Sequence, residues 1–320
     1  MAESGRDSLA GSPPPSTKPG IAVGTAGFSY PDWIGPVYPR GLAGADALPL
    51  LARWVDLLEV NVSHYRIPPP ATARAWLAAT ADRPGFRFTA KLWRGYTHGP
   101  PAPTRADHAA QRAFLDALAE DGRLDAVLAQ FPPTFRAGPR ERAYVARLAG
   151  HVAGHRLAVE FRHASWDTDD VRASLSDAGA AWVVGDWTPG PGWIEPRDVV
   201  TAPLAYVRLH GRNAAWYRRG VGRDTRYDYL YGPEELAAWH DRVRRLRSGA
   251  ASVVVVANNH FGGQAVANAL ELRSMLAGGR VPGPAALVAA FPRLADRVDP
   301  EPPPARVDPA DGGWFNRPGM

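Results

Sequence analysis

The chain has 320 residues, a net charge of +5, an isoelectric point near 9.7 and no cysteine. Lack of thiols excludes disulfides, thiolate metal sites and a cysteine nucleophile, and no apolar stretch approaches the roughly 20 residues of a membrane span. The chain start lacks a basic region followed by an apolar one, so the expectation is a cytoplasmic protein without a secretory signal.

Residues 1–19 are rich in Ser, Pro and Gly and read as a disordered N-terminal tail. Eight short apolar runs follow: IAVGTAG (21–27), DLLEVN (56–61), FRFTAK (86–91), LDAVLAQ (124–130), RLAVEFR (156–162), AAWVVGD (180–186), LAYVRLHG (204–211) and SVVVVANN (252–259). Near-continuous runs of this kind are strands covered on their outer side by helices. Helical segments lie between them, clearest at Ala106–Glu120, Pro233–Leu246 and Gln264–Leu276. Pro233 stands at a first turn with Glu234 and Glu235 beside it. Eight strands alternating with helices predict an α/β fold, a single (β/α)8 barrel over 20–277. Residues 278–320 are Pro-rich and read as a mostly irregular C-terminal tail, with a short helix near Ala285–Phe291.

In such a barrel the C-terminal strand ends form the functional face. Side chains alternate across a strand, so Leu157, Val159 and Phe161 suit the helix layer while Ala158, Glu160 and Arg162 point inward. The same reasoning places Glu59, Asn61, Thr89, Lys91, Gln130, Asp186, Arg208, His210 and one of Asn258 and Asn259 at the mouth. Three acids, Glu59, Glu160 and Asp186, then face Lys91, Arg162 and Arg208, with His210 as a further titratable group. A self-neutralising ion network is one reading. A functional site is the other, because barrel interiors are normally filled with Val, Ile and Leu.

Of the 37 basic residues only Lys18 and Lys91 are lysine. An inward lysine in an arginine-rich chain points to a need for an ammonium or amine, as anion binder, acid/base or Schiff-base nucleophile. A salt bridge to Glu59 or Glu160 competes with these roles. Three nearby carboxylates would keep the amine charged, which disfavours the Schiff base. Glu59 and Glu160, or these with Asp186 and His210 around a divalent metal, form the catalytic candidates together with Lys91. No spacing makes a metal site specific, and no organic-cofactor motif is present. After the last strand, Gly262 and Gly263 open a helix and are expected to offer backbone N–H groups to an anion. Trp33, Trp93, Trp166, Trp187, Trp193 and Trp216 lie in loops that follow strands and can stack on sugars or bases, or pack the loops together.

Across these segments the chain resembles the YecE-like family, domain of unknown function 72. The resemblance rests on GTAGFSYPDW (24–33), LEVNVSHYRIP (58–68), FRFTAK (86–91), LAQFPPTF (128–135), AVEFRHASW (158–166), YVRLHGR (206–212) and NNHFGGQAVANALEL (258–272). It implies a TIM-barrel-type fold, and adds Thr25, Tyr30, Trp33, Tyr65, His163 and Trp166 to the ligand-binding candidates. His64 stands where the family usually has an aromatic residue. The expected function is acid/base chemistry, of hydrolase or isomerase type, on a small anionic or sugar-like ligand. A metal-dependent nucleic-acid-processing barrel and a non-catalytic binding barrel are the other readings.

Overall fold

The computed structural model describes residues 20–302, apart from 43, 100, 153, 219 and 221. The expected N-terminal tail and the stretch beyond 302 lie outside the described residues. Eight strands close into an all-parallel barrel in chain order. They are β1 (Ile21–Ala26), β2 (Leu57–Val60), β3 (Arg87–Lys91), β4 (Leu124–Gln130), β5 (Leu157–Glu160), β6 (Ala181–Asp186), β7 (Leu204–Leu209) and β8 (Ser252–Ala257). Every strand lies within a predicted run. Strands β5, β7 and β8 stop two residues early, so Arg162, Gly211 and Asn259 belong to loops.

Helices α1 (Ala47–Leu51), α2 (Val62–Tyr65) and α3 (Pro70–Ala79) come first. They are followed by α4 (Arg105–Leu118), α5 (Pro139–His151) and α6 (Asp169–Asp177). After β7 come α7 (Arg223–Arg226) and α8 (Pro233–Gly249), and after β8 comes α9 (Gln264–Ala277). Residues 187–203 join β6 to β7 without a helix. The helix starts follow local chemistry. Thr104 Oγ1 accepts from the Asp107 amide while Asp107 accepts from the Thr104 amide, capping α4 at both exposed donors. No helix of the described residues is long and apolar enough to cross a membrane.

Two apolar cores result from the alternation. The outer one joins strand backs to helices, through residues such as Phe88, Val159, Val207 and Val255. The inner one is small-sided: Ala26, Leu57, Ala126, Leu128, Ala158, Val183, Tyr206, Val254 and Val256 plug the barrel. Above this plug, at the C-terminal ends of the strands, the inward positions turn polar, with Glu59, Glu160, Arg208 and His210 buried there.

The folded body does not stop at 277. Residues 281–301 contain β9 (Val281–Pro284), α10 (Ala285–Ala290) and β10 (Val298–Glu301), with β9 and β10 paired in parallel. Val281, Leu287, Leu294 and Val298 are buried, and Glu301 accepts from the Trp54 indole at 2.9 Å and pairs with Arg53 at 3.1 Å. The segment packs along α9, with Arg293 on Glu271 and Leu270 beside Gly283, and only its Glu301 end reaches the residues ahead of β2. The short helix expected near Ala285–Phe291 is α10, whereas β9 and β10 are four residues each and contain Pro, so no periodicity marks them in the sequence.

Gly24 faces the barrel axis beside Leu57. A Cβ there would lie 1.9 Å from the Leu57 carbonyl oxygen, which is ladder backbone and cannot move aside. Gly24→Ala is therefore expected to lower the unfolding free energy by about 3 kcal/mol through overpacking. Chemical denaturation checks this; an unchanged midpoint would contradict the close β1–β2 packing.

Candidate functional site

Arg208, projecting inward from β7, organises the barrel mouth. Its Nε and NH2 groups donate to Glu59 Oε2 and Oε1 at 2.9 and 2.7 Å, a two-pronged contact. Its NH1 donates to Glu160 Oε2 at 2.5 Å and to Gln130 Oε1 at 3.0 Å. All three charged side chains are fully buried. Below them Tyr206 donates its hydroxyl to Glu59 at 2.8 Å and meets the Thr89 hydroxyl at 2.8 Å. Above them Arg162 donates Nε to Glu160 Oε1 at 3.1 Å, with its guanidinium 5.9 and 5.8 Å from the Trp187 and Trp193 rings. Asn258 donates to His210 Nδ1 at 2.9 Å, which leaves Nε2 protonated and facing Glu160 at 3.3 Å.

Each of the four carboxylate oxygens of Glu59 and Glu160 thus already accepts a hydrogen bond. Burial alone would raise the Glu160 carboxyl, but Arg208, His210 and Arg162 outweigh it and hold the group well below its ordinary value. Burial also dominates at His210 and, with Arg208, lowers it to about 4 against the pull of Glu160. His210 is therefore neutral near pH 7.

Lys91 is the cation left over. It ends β3 half-buried, and no described residue is hydrogen-bonded or ion-paired to its ammonium. Burial, with Arg208 and then Arg162 pushing against Glu59 and Glu160, lowers the amine to about 7. The expected salt bridge to a glutamate is not formed. The premise that three carboxylates keep this amine charged also fails, because Arg208 has taken two of them and the third points elsewhere. His64 and His98 stand on the same side, 4.8 Å apart ring to ring. Burial first, then neighbouring cations including Lys91, lower both imidazoles, His64 to about 3. Two buried acceptors here lack partners, Asn61 Oδ1 and His64 Nδ1.

Several expected site residues lie elsewhere. Asp186 does not face the mouth. Gly185 holds the inward position of β6, and Asp186 shares the outward face with Trp182 and Val184. Its carboxylate accepts from Arg212 at 2.9 and 3.1 Å and from the Trp239 indole of α8 at 3.2 Å. The proposed metal ligands Glu59, Glu160, Asp186 and His210 therefore do not converge, and no group of three or more ligand-type side chains among the described residues is arranged to hold a metal ion. Of the two asparagines after β8, Asn258 faces inward, whereas Asn259 donates to Asn268 and the Tyr229 carbonyl. Gly262 offers no amide to an anion, since its N–H donates to Asp32 at 2.5 Å, and the Gly263 N–H donates to the His260 carbonyl. A carboxylate of the first loop already occupies the place expected for a ligand.

The first-loop and fifth-strand candidates act as braces. The Thr25 hydroxyl donates to the Gly27 carbonyl, Tyr30 donates to the Ala26 carbonyl and stacks on His260 at 4.3 Å, and the Trp33 indole donates to the His260 carbonyl. His163 accepts from Ser165, and Trp166 stacks on Phe161 at 4.2 Å. Trp33, Trp166 and Trp187 are buried, Trp93 and Trp193 partly so, and the Trp216 side chain lies outside the described set. Tyr65, 61% exposed, and Phe261 are the large aromatics open to solvent among the described residues. Sequence reasoning passed over Tyr206, although alternation from Arg208 placed it inward.

A cleft of about 380 Å³ opens at the opposite face, lined in part by Arg74, Leu77, Glu120 and Arg123. Arg74 and Glu120 pair there at 2.9 Å, and Arg123 is held by the Phe86 carbonyl and the Thr80 hydroxyl.

Removing Arg208 would strand two buried carboxylates. Arg208→Met is expected to cost about 3–5 kcal/mol of stability, and Glu59→Gln in the same chain should recover part of it. Equilibrium unfolding of the single and double variants tests this, and additive losses would contradict the shared network.

The family described as "Protein of unknown function DUF72" matches residues 22–288. UPF0759 protein YunF of Bacillus subtilis is 27% identical over 281 residues, spanning 80% of this chain and 94% of YunF. Among solved structures, a DUF72 family protein of Thermotoga maritima is 33% identical with a TM-score of 0.71, over 80% of this chain and 98% of its own. One from Enterococcus faecalis is 26% identical with the same TM-score, over 81% and 95%. With the family match covering nearly the whole barrel, the chain belongs to the DUF72 family.

Proposed function

We propose that the protein is an acid–base enzyme acting on a small anionic ligand at the C-terminal mouth of its barrel. One observation carries this reading: Lys91 is unpaired, while both glutamates of the barrel mouth are ion-paired with arginine. Within the inward-facing set, two arginines stand against two glutamates, so a protonated Lys91 leaves one positive charge over. An anion neutralises that excess. Arg162, held by Glu160 and by the two tryptophans, and the exposed Arg94 supply donors at the rim. An amine titrating near 7 can take and return a proton at working pH. That supports isomerase- or hydrolase-type proton transfer. Nucleic-acid processing has less behind it, since three of the six loop tryptophans are buried braces.

The sign of the pH dependence follows from Lys91. The anion binds the ammonium form, so affinity is full below about pH 7 and falls as pH rises through the amine's titration, which the bound anion itself moves upward. Inorganic phosphate and small carboxylates should therefore raise the melting temperature saturably at about pH 6.5 and by much less at about pH 9. The shift should vanish in Lys91→Met. No shift with any anion, or the same shift in that variant, would contradict the reading.

A further inference from the structure

Lys91 is the one lysine among the described residues; the other, Lys18, precedes them. An arginine at position 91 would hold an anion equally well and stay charged at any pH. What lysine adds is a nitrogen that can lose its proton and attack carbon. Three structural conditions for that attack meet here. The amine is unpaired. All four carboxylate oxygens that could reclaim it as an ion-pair partner are committed to Arg208, Arg162, Tyr206 and His210. Its other neighbours are cationic or neutral, namely Arg162, Arg208, His64 and His98.

We propose that Lys91 forms an imine with the carbonyl carbon of a small anionic aldehyde or ketone, whose acidic group is held by Arg162 at the rim. This rests on the anionic-ligand reading above and narrows its substrate class. In the step, the Lys91 lone pair attacks the carbonyl carbon, forming the C–N bond as the π pair moves to oxygen. Two protons reach that oxygen, one from the nitrogen and one from solvent. The C–O bond then breaks, and water leaves as the protonated C=N forms. No electron is gained or lost overall. The iminium withdraws electron density from the neighbouring carbon, whose proton then becomes removable. This is the chemistry an isomerase-type reaction needs. The partnerless acceptors Asn61 Oδ1 and His64 Nδ1 suit a substrate hydroxyl on the same compound.

The full chain has only three kinds of amine to compete: its α-amino group, Lys18 and Lys91. Incubation with glyoxylate, and separately with pyridoxal 5′-phosphate, is followed by cyanoborohydride reduction and peptide mapping by mass spectrometry. At about pH 7.5, Lys91 is expected to be trapped at least about ten-fold faster than Lys18, because an ordinary lysine is almost wholly protonated there. Lys91 left unlabelled, or labelled no faster than Lys18, overturns the imine. Lys91→Arg separates the two layers of the account, since it keeps the charge and removes the nucleophile. If phosphate still stabilises both proteins while wild-type Lys91 is not trapped, the imine fails and the anion site stands. If phosphate stabilises neither, the anion site fails as well.

Discussion

Arg208 is a buried cation holding two buried anions, and the chemistry of the barrel mouth depends on how fully it holds them. Isolated charges in a protein interior are costly, and a buried pair persists only when good geometry and added hydrogen bonds compensate. Here the guanidinium grips Glu59 with two prongs and reaches Glu160 with a third nitrogen. Tyr206, Arg162 and His210 occupy further lone pairs of those carboxylates. The network is closed upon itself, so Lys91 finds no counter-charge. The barrel mouth therefore carries one titratable amine with no ion-pair partner.

The scaffold explains how these groups meet. Parallel registers set Glu59 beside Thr89, Gln130 beside Glu160 and Gly185 beside Arg208. Gly185 carries no side chain because the Trp187 ring lies against it, where a Cβ would come within 2.0 Å. Around this rigid ring, the β1 and β8 loops are locked together by Asp32 on Gly262, by Trp33 on the His260 carbonyl and by the Tyr30–His260 stack. The side around Lys91, His64 and His98 has fewer such ties, with Tyr65 open to solvent beside it. A ligand entering there would meet the Lys91 amine and the exposed Arg94.

The barrel was legible in the sequence because strands buried on both faces leave long apolar runs that helices and loops do not imitate. Alternation also placed Glu59, Lys91, Gln130, Glu160, Arg208 and His210 correctly. It failed at Asp186, where the alternation was set in the wrong phase: Ala181 and Val183 face inward, and Asp186 shares the outer face with Trp182 and Val184. Pairing was the part that could not be read. Nothing in one dimension shows that a single arginine serves both glutamates, or that Asp32 reaches Gly262 across 230 residues. That missing information reverses the chemistry, because carboxylates expected to keep Lys91 charged are already occupied. In the C-terminal strap the short helix at Ala285–Ala290 was legible, whereas the four-residue strands Val281–Pro284 and Val298–Glu301 are too short to establish a period.

That Lys91 has no carboxylate partner is tested most directly by the titration of its own side chain. With two lysines in the chain, ¹³C-labelled lysine gives two Cε resonances, and Lys18 serves as an internal reference. The Lys91 resonance should titrate with a midpoint of about 7. A midpoint near the ordinary lysine value of about 10.4 would show an ion-paired ammonium and contradict the account.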